Sequence, residues 1–221
     1  TGEQLELIQP GAGEEPLRLV ARFPGAAGSM RVNFTLRAGG NAYQARDGLP
    51  NPGLNRLRTG ALVHVRTRAT ADAPWALPAN SGTDGVMIAN YEAATDLWTL
   101  NGVDVGGAGT SIVLNGAFRA GLGTAQFEVR PLSVTVSVER PTGEANQFER
   151  EETLGEFSLE PERRTSLLDT FTANPENGFA ALTTPFAIAM PSAIATPTAL
   201  DIARNLMAAG GLMRLLGDRA A

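Results

Sequence analysis

Apolar and polar residues alternate along much of the first 160 residues, and this alternation predicts β-strands. Residues 30–37 place four apolar side chains between four polar ones, and residues 17–23 and 132–139 follow nearly the same period of two. A period of two puts the apolar side chains on one face, as in a half-buried antiparallel strand. Shorter runs of the same kind predict further strands at residues 5–9, 61–68, 85–91, 96–100, 111–118, 125–130 and 153–159.

Clusters of Gly, Asn, Asp and Pro separate the predicted strands. Each cluster, such as Asn101-Gly102, can reverse the chain because Gly and Asn accept a positive φ and Pro fixes φ. No helical pattern of comparable length lies between the strands, which disfavours a parallel βαβ sheet. The predicted fold class is therefore mainly β, an antiparallel β-sandwich or jelly roll. Residues 39–60 are predicted to form a long loop, and long ordered loops often carry function.

The pattern changes beyond the first 160 residues. Residues 162–171 are predicted to form a short helix. Residues 174–197 contain four prolines, which interrupt both helices and sheet interiors, so an extended arm is predicted there. The predicted organisation is a body over residues 1–160 and a C-terminal arm with short helices over residues 161–221.

The end of the arm is predicted to be an amphipathic helix over residues 198–216, because apolar residues recur there at helical spacing. Thr198 and Asp201 are spaced as a capping box, with Asp in place of Glu. The pair Gly210-Gly211 weakens the middle of this helix by about 1 kcal/mol per glycine relative to alanine.

The arm is too apolar to remain in water. Burying one large apolar side chain is worth about 1.5–3 kcal/mol, and an arm of this length can reach a neighbouring subunit. We therefore expect a homo-oligomer or shell in which the arm covers a subunit contact, and a deletion of residues 174–221 that leaves a folded body unable to assemble. The predicted contact residues are Phe179, Leu182, Phe186, Ile188, Met190, Ile194, Leu206, Met207, Met213 and Leu216.

The amino-acid composition excludes several kinds of metal site and catalytic group. The chain has no cysteine, one histidine, and arginine at all 18 basic positions. One imidazole without thiolates cannot complete a zinc, iron or copper site, and a chain without lysine has no Schiff-base nucleophile or P-loop lysine. No cofactor is expected. His64 is interpreted as a strand histidine rather than a general base, because no Gly-x-Ser-x-Gly nucleophile motif accompanies it.

Calcium is the metal whose ligands this sequence can supply, because calcium binds oxygen atoms. Asp84 and Asp104 are the candidate ligands, and neither follows the EF-hand pattern. Both lie close to Asp-Gly or Asn-Gly pairs, which in β proteins are more often turns. We favour the interpretation as turns.

Aromatic residues could form a platform for a ligand, since their rings offer flat apolar area with a polar handle. The candidates are Trp75, Tyr43 and Tyr91. Trp75 lies between two prolines, which predicts a loop. Trp98 falls within a predicted strand, where a core position is the more usual interpretation.

Charged residues cluster at 149–152 and at 160–164. Two carboxylates about 5–9.5 Å apart can hydrolyse a glycoside, so a carboxylate-dependent hydrolase is one alternative. The net charge of −5, without a basic cluster, argues against nucleic acid as a partner. No apolar run approaches the roughly 18 residues of a transmembrane segment.

Three functions fit these patterns. We favour a self-assembling structural protein without enzymatic activity, because catalytic motifs are missing and the arm is apolar. In overall layout the chain resembles viral coat and virion proteins, a likeness of architecture rather than of motif, which implies a capsid component. The alternatives are an extracellular or surface β-sandwich module that binds carbohydrate or protein, and the hydrolase. A virion or extracellular location is favoured over the cytoplasm.

Overall fold

The computed structural model shows a mainly β protein with antiparallel strand pairs and two short helices, which confirms the predicted fold class. The strand order does not identify a jelly roll. The structure describes residues 5–6, 18–21, 30–81, 85–102, 110–142, 144, 147–149, 152–161, 163, 165–172, 184–190, 194, 196–199, 201–202 and 206.

The strands are β1 (Leu5–Glu6), β2 (Arg18–Ala21), β3 (Arg31–Ala38), β4 (Tyr43–Gln44), β5 (Gly53–Leu54), β6 (Ala61–Arg68), β7 (Val86–Glu92), β8 (Leu97–Gly102), β9 (Ser111–Leu114), β10 (Gln126–Glu139), β11 (Glu152–Ser158) and β12 (Phe186–Ala189). The helices whose residues are all described are α1 (Gly116–Leu122) and α2 (Leu167–Phe171).

The chain forms two compact units. The first unit combines Thr1–Arg37 with Ser133–Ala221, and the second is the continuous segment Ala38–Leu132. The predicted boundary between body and arm, at residue 160, falls inside the first unit. Both ends of the chain therefore belong to one unit, and the middle of the chain forms the other.

In the second unit, strands follow the antiparallel order β10-β6-β7-β8-β9. Strand β6 pairs with β7, and a short hairpin joins β7 to β8, with registers such as Val63↔Met87 and Ala89↔Leu100. Because paired residues share a face, the alternating apolar side chains of all five strands come together in one core. The buried members of this core are Leu54, Val63, Val65, Met87, Ala89, Trp98, Leu100, Ile112, Leu114, Phe127 and Val129.

Helix α1 replaces the second half of a predicted strand. The prediction of a strand over residues 111–118 is wrong beyond Leu114, where strand β9 ends. Asn115-Gly116 is a pair of the kind predicted to reverse the chain between strands. Here the side chain of Asn115 accepts a hydrogen bond from the Phe118 N–H and caps the helix instead. Phe118 and Leu122, four residues apart, then pack against the core of the second unit.

The first unit confirms the alternation predicted for residues 30–37. In strand β3 the side chains of Val32, Phe34 and Leu36 are buried and their neighbours are more exposed. Strand β10 continues through two of the predicted strands, and its residues 133–138 pair with β11 across a register shift after Val136. Strands β1, β2 and β12 form a separate antiparallel sheet with β2 in the middle.

Strand β12 contradicts the prediction that the proline-rich part of the arm forms no regular element. Phe186–Ala189 lies between two of the prolines and pairs with β2, from Phe186↔Ala21 to Ala189↔Arg18. Four residues are enough for a strand when its partner is already present, and the prolines mark the ends of the strand rather than its interior. Downstream, Thr198 and Asp201 form the predicted capping box: the Asp201 N–H donates to Thr198 Oγ1, and the Thr198 N–H donates to Asp201 Oδ2.

The predicted contact residues of the arm have different environments. Phe186, Ile188 and Leu206 are buried within this chain. The Phe186 ring stacks on Phe171 with a centroid distance of 4.7 Å. Met190 and Ile194 are half-buried, and Phe179, Leu182, Met207, Met213 and Leu216 lie outside the described residues.

Candidate functional site

A polar pocket of about 250 Å³ opens on the second unit. One side comes from the loop segment that includes β4 and β5, and the other comes from the β7–β8 hairpin. The residues that line the pocket are Gln44, Arg46, Gly53, Leu54, Asn55, Tyr91, Asp96 and Trp98. The pocket therefore joins two segments about fifty residues apart, which the sheet brings together.

Arg46 and Asp96 form the polar centre of the pocket. Arg46 Nη1 donates to both carboxylate oxygens of Asp96, at 3.1 Å to Oδ1 and 2.9 Å to Oδ2. The Tyr91 hydroxyl donates to Asp96 Oδ1 at 3.0 Å. Because the carboxylate that accepts them is ionised, all of these bonds are charge-assisted, and the bonds from Arg46 also join opposite charges.

Both members of this pair hold an unusual backbone conformation. Arg46 has a φ of 54° and Asp96 a φ of 47°, in the left-handed region that non-glycine residues seldom adopt. Such residues tend to occur at binding and catalytic sites, where the surrounding structure holds them in place. The strained backbone makes this pocket a better candidate site than an ordinary surface depression.

The loop that carries Arg46 is fixed by helix α1. Arg119 Nη1 donates to the carbonyl oxygens of Ala45, Arg46 and Leu49, at 3.1, 3.2 and 2.9 Å. The Arg46 carbonyl also accepts from the Leu49 N–H at 3.1 Å. The guanidinium is a donor that all three carbonyls share, so it orders the segment. Arg119 does not line the pocket, and it acts through the backbone of Arg46.

Two further residues set the shape of the pocket. Asn51 Nδ2 donates to the carbonyl oxygens of Thr95 and Asp96, each at 3.2 Å, and ties the first loop to the hairpin turn. Gly53 lies directly under the Arg46 side chain, because a Cβ at this position would be 2.5 Å from Arg46 Cδ. A residue without a side chain is therefore needed at position 53 to admit Arg46.

Aromatic rings form the remaining wall. The Tyr91 ring lies 4.9 Å from the Trp98 ring, tilted by 38°. Trp98 is 7 % exposed and belongs to the core, whereas Tyr91 is 39 % exposed. The buried tryptophan thus supports a tyrosine whose ring and hydroxyl both reach the pocket.

The polar network shifts two pKa values in opposite directions. The hydrogen bond from Arg46, followed by the one from Tyr91, lowers the pKa of Asp96 below its ordinary 3.8. The hydrogen bond to Asp96, followed by partial burial, raises the pKa of Tyr91 above 10.0. At neutral pH the pocket therefore holds an ionised carboxylate and a neutral phenol.

Two amide side chains complete the lining. Within the described residues, the side chains of Gln44 and Asn55 make no hydrogen bond, and both are exposed. Each amide offers two N–H donors and an acceptor oxygen. The pocket therefore presents uncommitted donors and acceptors around its fixed ionic centre.

Of the three aromatic residues predicted to bind a ligand, Tyr91 lines the pocket. Tyr43 instead packs edge-on against Phe118 and Phe127, with centroid distances of 6.5 and 5.3 Å. Its hydroxyl is buried without a hydrogen-bond partner among the described residues. Tyr43 therefore helps hold helix α1 on the sheet.

Trp75 lies against two arginines of strand β6. The guanidinium carbons of Arg66 and Arg68 are 4.2 and 4.5 Å from its ring centroid. Arg66 Nε also contacts Glu128 Oε2 at 2.6 Å, across the β6–β10 pair. The indole ring covers an ion pair, and this cation–π packing occupies much of its apolar surface.

The candidate metal ligands lie elsewhere or outside the described part of the chain. Asp84 and Asp104 belong to segments that the structure does not describe. In the part of the chain that is described, no three acidic or histidine side chains come close enough to hold a metal ion. His64 is half-buried on β6, paired with Arg130 of β10 in the strand register.

The sequence predictions overlap this candidate site in part. The predicted long loop over residues 39–60 supplies Gln44, Arg46, Gly53 and Asn55. Asp96 is not among the predicted site residues, because it falls at the first position of the strand predicted over residues 96–100. A non-glycine residue with positive φ leaves no reliable mark in a sequence, although Asp and Asn adopt this conformation more often than most.

No protein-family model matches this chain, and no curated protein and no solved structure is similar enough to count as a match. None of the helices in the described ranges is long and apolar enough to cross a membrane.

Proposed function

We propose that this chain is a binding protein whose pocket in the second unit holds one unit of a carbohydrate. The observation that carries the proposal is the combination of exposed Tyr91 with the fixed Arg46–Asp96 pair and two uncommitted amides. Sugars present apolar C–H faces and many hydroxyl groups. An aromatic ring complements the first, and planar polar side chains complement the second.

The size of the pocket supports a small ligand. Pockets for drug-sized molecules are usually about 300–1,000 Å³, and this pocket has about 250 Å³. One sugar unit suits such a volume, whereas an extended peptide would need a groove. For this reason we propose carbohydrate rather than protein as the ligand, in keeping with an extracellular location.

Hydrolysis is less well supported than binding. Glycoside hydrolases use two carboxylates about 5–9.5 Å apart, one of which must be protonated. Asp96 is the acidic residue that lines the described pocket, and its lowered pKa keeps it ionised. A second carboxylate with a raised pKa would be needed, so we propose binding without catalysis.

A glycan array with the full-length chain tests the proposal. We expect the wild type to bind a subset of glycans and Tyr91→Ala to lose that binding. Leu77→Ala is the matched control, since Leu77 is 42 % exposed, similar to Tyr91, and does not line the pocket. An array without bound glycans, or equal losses in both variants, would contradict the proposal.

An assembly role, which the apolar arm favoured, is the second candidate. Phe186, Ile188 and Leu206 are buried in this chain and cannot serve a subunit contact as well. A different observation, the exposed edge of strand β9, favours the assembly role. Within the described residues β9 pairs with β8 alone, it carries no charge, and Val113 on it is 38 % exposed. Natural edge strands are usually protected by charge or proline, so β9 could pair with β9 of a second copy.

Sedimentation of Val113→Lys tests this second candidate. Val20→Lys is the matched control, because Val20 is 44 % exposed but lies on β2, whose two edges are both paired. If β9 forms the contact, the wild type and Val20→Lys sediment as oligomers and Val113→Lys as a monomer. A monomeric wild type would remove the assembly role, including any role in a virion.

A further inference from the structure

The charges of the pocket cancel. Among the described residues that line the pocket, Arg46 and Asp96 are the charged ones, and their closest atoms are 2.9 Å apart. A ligand carboxylate or phosphate that approaches Arg46 also approaches Asp96, so attraction and repulsion largely offset each other. The electrostatics of the pocket therefore favour an uncharged ligand.

Both partners keep hydrogen-bonding capacity beyond their own ion pair. Arg46 uses Nη1 for Asp96, and its Nε and Nη2 make no hydrogen bond within the described residues. Asp96 Oδ1 accepts from both Arg46 and Tyr91, whereas Oδ2 accepts from Arg46 alone among the described residues. A carboxylate oxygen can accept two hydrogen bonds. The pair thus offers an acceptor and a donor side by side.

We infer that the ligand is a neutral sugar bound through two neighbouring hydroxyl groups, an inference that rests on the proposed function. One hydroxyl donates to Asp96 Oδ2, and the neighbouring hydroxyl accepts from an N–H of Arg46. The amides of Gln44 and Asn55 are placed for further hydroxyls, and the Tyr91 ring covers a C–H face. A uronic acid has the same ring hydroxyls but adds a carboxylate that loses hydration on binding, and the balanced Arg46–Asp96 pair gives this charge no net attraction in return.

Matched pairs of sugars test this inference. Glucose with glucuronate, and galactose with galacturonate, are titrated into the isotope-labelled full-length chain and followed by NMR. We expect a neutral sugar to bind about tenfold or more tightly than its acid, a difference of about 1.4 kcal/mol. An acid that binds equally or better overturns the inference and leaves the carbohydrate function intact. No binding to any of the four, at millimolar concentration, overturns both.

Asp96→Asn gives a second test. Asp47→Asn is the control, because Asp47 follows Arg46 in the opposite segment of the pocket, is exposed and is outside the lining. Asn tolerates the left-handed backbone but presents an amide instead of an ionised acceptor. We expect the neutral sugar to bind about tenfold more weakly and the preference over its acid to disappear. An unchanged preference contradicts the inference. Deoxy sugars that lack one of the two neighbouring hydroxyls test the same contacts without a substitution in the protein. Each should bind the wild-type chain about tenfold more weakly than the intact sugar.

Discussion

Arg46 and Asp96, fifty residues apart in sequence, meet through a guanidinium nitrogen that contacts both carboxylate oxygens. Each residue also holds its backbone in the left-handed region. An exposed ion pair contributes little to stability by itself, so the strained backbones are not explained by the energy of this contact. The arrangement is consistent with the preorganised binding site proposed above.

Gly53→Ala should disturb this arrangement without unfolding the protein. The added Cβ would lie 2.5 Å from Arg46 Cδ and 2.9 Å from Arg46 Nε, so the arginine must move. Because the obstacle is a flexible side chain, we expect a stability change below about 1 kcal/mol together with weaker sugar binding.

Thermal unfolding and sugar titration measure the two effects of Gly53→Ala separately. Gly40→Ala is the control, since a Cβ at Gly40 meets no atom within 4 Å. Unchanged sugar binding by Gly53→Ala would show that the position of Arg46 does not matter for the ligand.

The ionisation of Tyr91 should report on Asp96. The pKa of Tyr91 is raised mainly by its hydrogen bond to Asp96. In Tyr43→Phe, which leaves Tyr91 as the single tyrosine of the chain, the rise in tyrosinate absorbance should therefore have its midpoint above pH 10.0. In the double variant with Asp96→Asn, the pKa should fall towards its ordinary value. A double variant that titrates like Tyr43→Phe would mean that the hydrogen bond is not formed in solution.

The same contacts give the protein a stability that depends on pH. Since the pKa of Asp96 is lowered by folding, its contribution is present above 3.8 and is lost as the pH falls through the lowered value. Since the pKa of Tyr91 is raised, its contribution is present below 10.0 and is lost as the pH rises through the raised value. Melting temperatures of Asp96→Asn should therefore change less than those of the wild type at acid pH.

The strands and the core of this fold were predictable because they depend on a local pattern. The alternation in residues 30–37 places Val32, Phe34 and Leu36 in the interior, as expected. A period of two shows which side chains face the interior, and this does not depend on which strands lie next to it. The short helix α1 could not be predicted from the sequence, because an Asn-Gly pair such as Asn115-Gly116 is equally suited to a turn and to the start of a helix.

The pocket was less predictable because it depends on tertiary contacts. Nothing near Arg46 in the sequence indicates that Asp96 will be its partner, and nothing near Phe186 indicates that Phe171 will cover it. Tyr91 and Trp75 look alike as candidate ligand residues. Only their neighbours separate them, since Trp75 lies on Arg66 and Arg68.

Arg119 is a positioning residue whose loss should weaken sugar binding. In Arg119→Gln, the carbonyls of Ala45, Arg46 and Leu49 lose their shared donor. We expect a loss of about 1–2 kcal/mol in the free energy of unfolding and weaker sugar binding, because the loop no longer holds Arg46 in its left-handed conformation.

Chemical denaturation and sugar titration measure the two effects of Arg119→Gln. Arg58→Gln, at an exposed position whose side chain makes no hydrogen bond among the described residues, is the control. If Arg119→Gln binds sugar as well as Arg58→Gln does, helix α1 has no part in positioning the pocket.

Substitution of Phe186 can distinguish a structural role of the arm from a role in assembly. Its ring is buried, stacked on Phe171 at 4.7 Å and edge-on to Phe34 at 6.4 Å. Phe186→Ala should therefore destabilise the first unit by about 3–5 kcal/mol, the usual range for a buried phenylalanine. Phe148→Ala is the control, because Phe148 is half-buried and contacts the guanidinium of Arg31. Denaturant unfolding measures the loss in both variants.

The deletion of residues 174–221 should behave like a stronger form of Phe186→Ala. The sequence favoured a truncated chain that folds and fails to assemble. The structure reverses this expectation, because the deletion removes strand β12 from its pairing with β2 and uncovers Phe171. We expect loss of cooperative unfolding in the first unit. A truncated chain that retains wild-type stability, and differs from the full-length chain only in sedimentation, would restore the arm as an assembly element.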